Sequence, residues 1–244
     1  MQKYGCILAS IGCFINVHAA ENQITAPTLI EQEVIQAITD IAGAPRKEWS
    51  VQISHYENEE GDVTSSIERY TPNEDTSKQW TLLRINDKTP SHKQIKKFVK
   101  KKQEHVENKA NGKIYSINFK TLIEQDSLQL LNHYGSHAKV GFQVHLEDLG
   151  DDAKGKLEGT LSYSKQHKYI EEITIVNNAE FSPMFSATIS DLVLSFNFIK
   201  LNDVVLPQQI EMRMKGSFAY FTEIDEVSTT TYSNYLHTRK LLSE

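Results

Sequence analysis

Apolar residues recur with two different periods, and these divide the chain into a first part holding the helices and a strand-rich remainder. From Thr28 to Ala42, Ile30, Val34, Ile38 and Ile41 fall three and four residues apart, with Thr28 as a capping residue and Gly43 and Pro45 beyond the end. That spacing predicts an amphipathic helix. Trp49, Val51 and Ile53 alternate with Ser50, Gln52 and Ser54, and Glu59-Glu60-Gly61-Asp62 separates them from a second run, Val63 to Tyr70, which predicts a hairpin. Trp80 and Leu82 mark a third strand closed by Asn86-Asp87-Lys88, after which Pro90-Ser91 opens a second helix of roughly 15 to 18 residues.

From residue 128 onward the period is two. Val140, Phe142, Val144 and Leu146 alternate with Gly141, Gln143, His145 and Glu147, so one face is buried and one is wet. The alternation resumes at Leu157 to Tyr163, Ile170 to Val176, Leu192 to Phe198 and Ile210 to Tyr220, and a last strand is expected over Glu226 to Tyr235. Short polar turns between consecutive strands predict an antiparallel meander, because parallel neighbours need crossovers of about a dozen residues or more. No linker or repeat divides the chain. The pattern predicts an α+β protein with one domain over residues 20–244.

The first residues set the address. Lys3, a short apolar run from Tyr4 to Val17 and the small residues of Val17-His18-Ala19 read as a signal peptide over residues 1–19, and the run is too short to span a bilayer. A lipoprotein signal ending at Cys13 fits less well, because Ser10 stands where a branched aliphatic residue is wanted. Cleavage removes Lys3, both cysteines and no acid, leaving 25 basic and 32 acidic residues and a net charge of −7. The mature chain then has no disulfide, so its stability must come from its core. With 39% hydrophobic and 24% charged residues the full chain fits neither a disordered protein nor a fibrous one, and the acidity and compartment of its mature part argue against nucleic acid.

Catalytic signatures are missing. The chain has no G-x-S-x-G, no H-E-x-x-H, no phosphate loop and no G-x-G-x-x-G, and no cofactor is expected. His133 and His137 flank an expected turn at 134–136 and would not share a helical face as paired metal ligands do. The acidic turn Glu147, Asp148, Asp151 and Asp152 lacks the ligand spacing of a calcium loop and reads as solvated.

Two features rise above this background. The second helix carries Lys93, Lys96, Lys97, Lys100 and Lys101, followed by Lys102, beside a narrow stripe of Ile95, Phe98, Val99 and Val106. It is either an ordinary packed helix with a solvated face or a docking surface for an anionic membrane or an acidic partner. The later strands concentrate aromatic and Met side chains, which either fill a core or line an apolar cavity. The candidate lining set is Phe142, Val144, Leu194, Phe196, Phe198, Met212, Met214 and Phe218.

The order of elements, with Trp80-Thr81-Leu82-Leu83, Asn86-Asp87-Lys88-Thr89-Pro90, Gly216-Ser217-Phe218 and Tyr232-Ser233-Asn234-Tyr235, resembles the LolA-like periplasmic lipoprotein-carrier superfamily. The resemblance implies an open antiparallel β half-barrel covered by two or three helices, and an acyl ligand held in the apolar space between them. The expected function is a non-enzymatic periplasmic carrier or chaperone for a lipidated or hydrophobic ligand, acting as a monomer. The rival reading is an envelope scaffold with a filled core that makes contacts through the lysine helix. Intact mass of the exported protein should show a start at Ala20 or Glu21 without lipid; a lipid-modified Cys13 would contradict the leader assignment.

Overall fold

The structure is a computed structural model that describes residues 28–110, 117–145, 149–219 and 222–238. The expected leader, Leu146, Glu147, Asp148 and Tyr220 lie outside these residues. Its elements run α1 (Leu29–Gly43), β1 (Trp49–Glu59), β2 (Asp62–Tyr70), β3 (Trp80–Ile85), α2 (His92–Ala110), α3 (Phe119–Leu122), β4 (Gln129–Tyr134), β5 (His137–Gln143), β6 (Leu157–Ser164), β7 (Tyr169–Asn177), β8 (Phe181–Met184), β9 (Ala187–Leu201), β10 (Val204–Phe218) and β11 (Thr222–His237). The eleven strands form one open antiparallel sheet in the order β3-β2-β1-β11-β10-β9-β7-β6-β5-β4, with β8 pairing β9 off this path. The last strand is longer at both ends than its alternation predicts.

Local signals set the helix starts. Thr28 Oγ1 accepts from the Glu31 backbone N–H while the Glu31 carboxylate accepts from the Thr28 N–H, a reciprocal capping box at the head of α1. Ser91 and Gln94 make the same exchange at the head of α2. The short α3, which the apolar pattern does not mark, starts where the Asn118 side chain accepts from the Lys120 N–H.

Residues directly opposite each other on paired strands project from the same face. The pairings therefore trace one row across ten strands: Ile85, Ser66, His55, Thr230, Ile210, Phe196, Ile173, Leu161, Val140 and Leu130. The row is apolar from Ile210 onward and mostly polar before it. A parallel row runs Thr64, Glu57, Ser228, Met212, Leu194, Ile175, Gly159 and Phe142, with the same change between Ser228 and Met212.

The apolar half must be covered, and α1 and α3 cover it. Val34, Ala37, Ile38 and Ile41 of α1 and Phe119 and Leu122 of α3 are buried in one cluster with Val140, Phe142, Leu161, Ile173, Ile175, Phe196 and Phe198. Phe119 stands edge-on to Phe196 and Phe198, with ring centroids 5.1 and 5.6 Å away. Packing is close at Gly159, where an added Cβ would lie 2.1 Å from the Phe142 ring. The opposite face of the sheet presents Ser54, Thr174, Ser195 and Thr231, as a wet face requires.

Candidate functional site

The second helix has no comparable apolar floor to rest on. It lies along the polar half of the sheet, against β3, and none of its described side chains is fully buried. The apolar stripe of α2 is too narrow to seat the whole helix. Phe98 and Val99 are half-buried, while Ile95, in the same stripe, is exposed. A groove of about 620 Å³ therefore remains between helix and sheet. Its floor includes Thr64, Ser66, His55, Glu57, Ser228 and Thr230, and Leu82 and Ile85 close one side. Gln94, Lys97, Phe98 and Lys101 of α2 form the opposite wall.

A polar cluster ties α2 across this space. Glu68 projects from β2 beside Ile53 of β1 and Leu82 of β3, and it is only 3% exposed. Its Oε1 accepts from Lys102 Nζ at 2.6 Å and lies 3.2 Å from His55 Nε2. The Nδ1 of His55 is in turn 3.0 Å from the Thr230 hydroxyl. Lys102 Nζ also sits 4.0 Å above the Trp80 ring and 5.2 Å from that of Phe98, where the ring faces attract a cation. Burial alone would push the Glu68 carboxyl up, but the hydrogen bonds from His55 and Lys102, with the Lys102 charge, hold it below the ordinary glutamate value.

The sheet end beyond the groove is acidic. Glu226 lies opposite Glu59, which pairs with Asp62 on its other side. Burial, followed by the charges of Glu59, Glu57 and Glu60, pushes the Glu226 carboxyl up. Lysines therefore line one wall of the groove and carboxylates one end, with hydroxyls and an imidazole between. This arrangement can hold a polar or charged group by several contacts while Leu82, Ile85 and Phe98 shelter an apolar one.

The eight side chains expected to line an apolar cavity divide differently. Phe142, Val144, Phe196 and Phe198 are buried core, packed in the cluster that α1 and α3 complete. Leu194, Met212 and Met214 are partly buried at its margin, and Phe218 is exposed at the end of β10. None of the eight lines the α2 groove. The aliphatic strand face on which they lie is the face that α1 and α3 cover. Of the docking lysines, Lys97 and Lys101 line the groove, Lys100 pairs with Glu104 at 3.6 Å, and all five of Lys93, Lys96, Lys97, Lys100 and Lys101 are exposed.

Sequence reasoning missed Glu68, His55, Thr230 and Lys102 as a group. The one signal available was an acid amid the hydroxyl side of β2, which carries Thr64 and Ser66 at alternate positions. The turn expected at 134–136 is present, and His137 Nε2 stands 3.0 Å from a Glu171 carboxylate oxygen. Asp151 and Asp152 pair with Lys154 and Lys156. No cluster of three or more potential metal ligands occurs among the described residues, and no described helix is long and apolar enough to cross a membrane.

No family model and no curated protein matches the chain. Among solved structures it is similar to a DUF1329 family protein from Desulfovibrio piger ATCC 29098, with a TM-score of 0.36 and 8% identity over 87% of this chain and 94% of that one.

A carboxyl held below its ordinary value contributes stability above the usual glutamate range, and that contribution disappears as pH falls through the lowered value. Wild-type protein should therefore lose stability on acidification below about pH 4.5, and Glu68→Gln should flatten this loss while costing about 1–3 kcal/mol at neutral pH. Urea melts at stepped pH, with hydrogen exchange of the α2 amides, test it. Unchanged α2 exchange in Glu68→Gln would show that the cluster does not hold the helix.

Proposed function

We propose that the protein is a non-enzymatic periplasmic carrier or chaperone that holds an acylated, amphiphilic ligand between α2 and the polar half of the sheet. The observation that supports this reading is the groove itself, whose volume falls within the roughly 300–1,000 Å³ of small-molecule sites. An acyl chain would lie against Leu82, Ile85 and Phe98, where each Å² removed from water contributes about 25 cal/mol before ordering costs. A polar head would meet Lys97, Lys101, His55 and the hydroxyls of Ser66, Ser228 and Thr230. The half-barrel architecture and ligand class implied by the LolA-like resemblance agree with this reading, with the ligand placed in the polar half. The carrier acts after export, as a monomer, without a cofactor and without nucleic acid.

The exposure of the α2 lysines favours a second reading, in which the protein is an envelope scaffold that meets an anionic membrane or acidic partner through this helix. One set of variants separates the two. Wild-type protein should take up a fluorescent fatty acid, and Phe98→Ser should weaken uptake roughly tenfold or more while leaving the thermal transition within a few degrees. Lys93→Gln with Lys96→Gln should leave uptake alone; under the scaffold reading it removes a salt-sensitive association with anionic vesicles. Absence of uptake by the wild type would contradict the carrier. Loss of uptake in Met214→Gln, with normal uptake in Phe98→Ser, would return the ligand to the apolar half.

A further inference from the structure

At one end of the sheet, the turn between β8 and β9 and the adjacent end of β10 expose large apolar side chains no packing requires. In β8, Phe181 is buried, but Met184 is 57% exposed and Phe185, at the tip of the turn into β9, is 97% exposed. Beside them Phe218, at the end of β10, is 45% exposed. No charged residue occurs from Phe181 to Ser190 or from Gly216 to Thr222.

The β8–β9 turn and the end of β10 are held in place. Phe218 pairs with Ala187, and the Ala219 N–H donates to the Ser186 carbonyl at 2.6 Å. Gly216 lets β10 approach β9, because a Cβ there would lie 2.1 Å from the Thr188 carbonyl oxygen. The base of β8 is pinned by Asp152, whose carboxylate accepts from the Ser182 N–H at 2.7 Å and from Lys156 at 2.9 Å. These are firmly based projections with apolar ends.

We propose that the β8–β9 turn and the end of β10 form a membrane-insertion tip that seats Phe185, Met184 and Phe218 in the interface of an electrically neutral, zwitterionic phospholipid bilayer. The size of the patch argues against a protein partner, since three side chains fall well short of the roughly 1,200–2,000 Å² that a specific protein interface buries. A bilayer needs no complementary partner surface, and aromatic side chains favour its interface. The flanking charges fix the lipid class. Behind the tip stand Glu180, Asp191, Glu223, Asp225, Asp151 and Asp152 against Lys215, Lys154 and Lys156, with Lys215 paired to Asp225 at 3.9 Å and Lys154 and Lys156 to Asp151 and Asp152. This excess of acid repels an anionic surface over a Debye length of about 8–10 Å.

The proposal is independent of what the groove holds, and its test uses the full chain without cargo. Wild-type protein should co-sediment with phosphatidylcholine vesicles, and the association should persist when salt is raised from about 0.1 M to several times that. Phe185→Asp, at a position that contributes nothing to the core, should reduce it by about tenfold or more without moving the thermal transition. Phe185→Trp should retain it and add a blue-shifted emission when vesicles are present. No association of the wild type with phosphatidylcholine overturns the proposal, as does association indifferent to Phe185→Asp. Binding confined to phosphatidylglycerol vesicles and lost in salt assigns the contact to the α2 lysines and also overturns it. A concentration-dependent dimer abolished by Phe185→Asp would give the tip to a second copy of the chain, with the same consequence.

Discussion

Where Thr230 of β11 stands opposite Ile210 of β10, the helix-covered face of the sheet changes from hydroxyls and charges to aliphatic and aromatic side chains. This boundary decides how each helix is attached. On the apolar side, Val34, Ile38 and Ile41 of α1 and Phe119 of α3 pack onto Phe196, Ile173 and Val140, and apolar burial holds both helices down. On the polar side a helix gains little by close approach. The second helix is fixed instead by Lys102 on a buried carboxylate and two aromatic rings, and a groove remains beside that attachment.

A polar anchor has different physics from an apolar one. Removing Glu68 from water is costly, and the cost is offset only while Lys102 and His55 keep their contacts with it. Such an attachment depends on direction and on pH, whereas the packing of α1 depends on shape and area. The molecule thus combines a covered half that fixes the sheet with a second half where one helix can shift at the expense of a few polar contacts. Ligand entry beside α2 is compatible with the first half staying intact.

Much of the framework was legible in the sequence because it rests on short-range rules. Thr28 three residues before Glu31, the spacing of Val34, Ile38 and Ile41, and the alternation from Trp49 to Ile53 and from Val140 to Val144 each report a local choice that the sheet then uses. The site was not legible, because it assembles from residues far apart in the chain. Glu68 meets Lys102 across 34 positions, and His55 meets Thr230 across 175. Apolar alternation pointed to Phe142, Phe196 and Phe198, since it marks what must be covered rather than what is left open. Periodicity also gives no sign of α3, whose four residues are too few to show a period, or of the bulges at Ile67 and Gly216 that adjust the register.

The central claim is that a ligand lies between α2 and the polar half of the sheet, while the apolar half is packed by α1 and α3. An experimental structure of the protein loaded with a lysophospholipid tests it most directly. The predicted result is acyl density against Leu82, Ile85 and Phe98 with the head group near His55 and Lys101, and the α1 core unchanged. Acyl density between α1 and the strands that bear Phe142, Phe196 and Ile173 would contradict it.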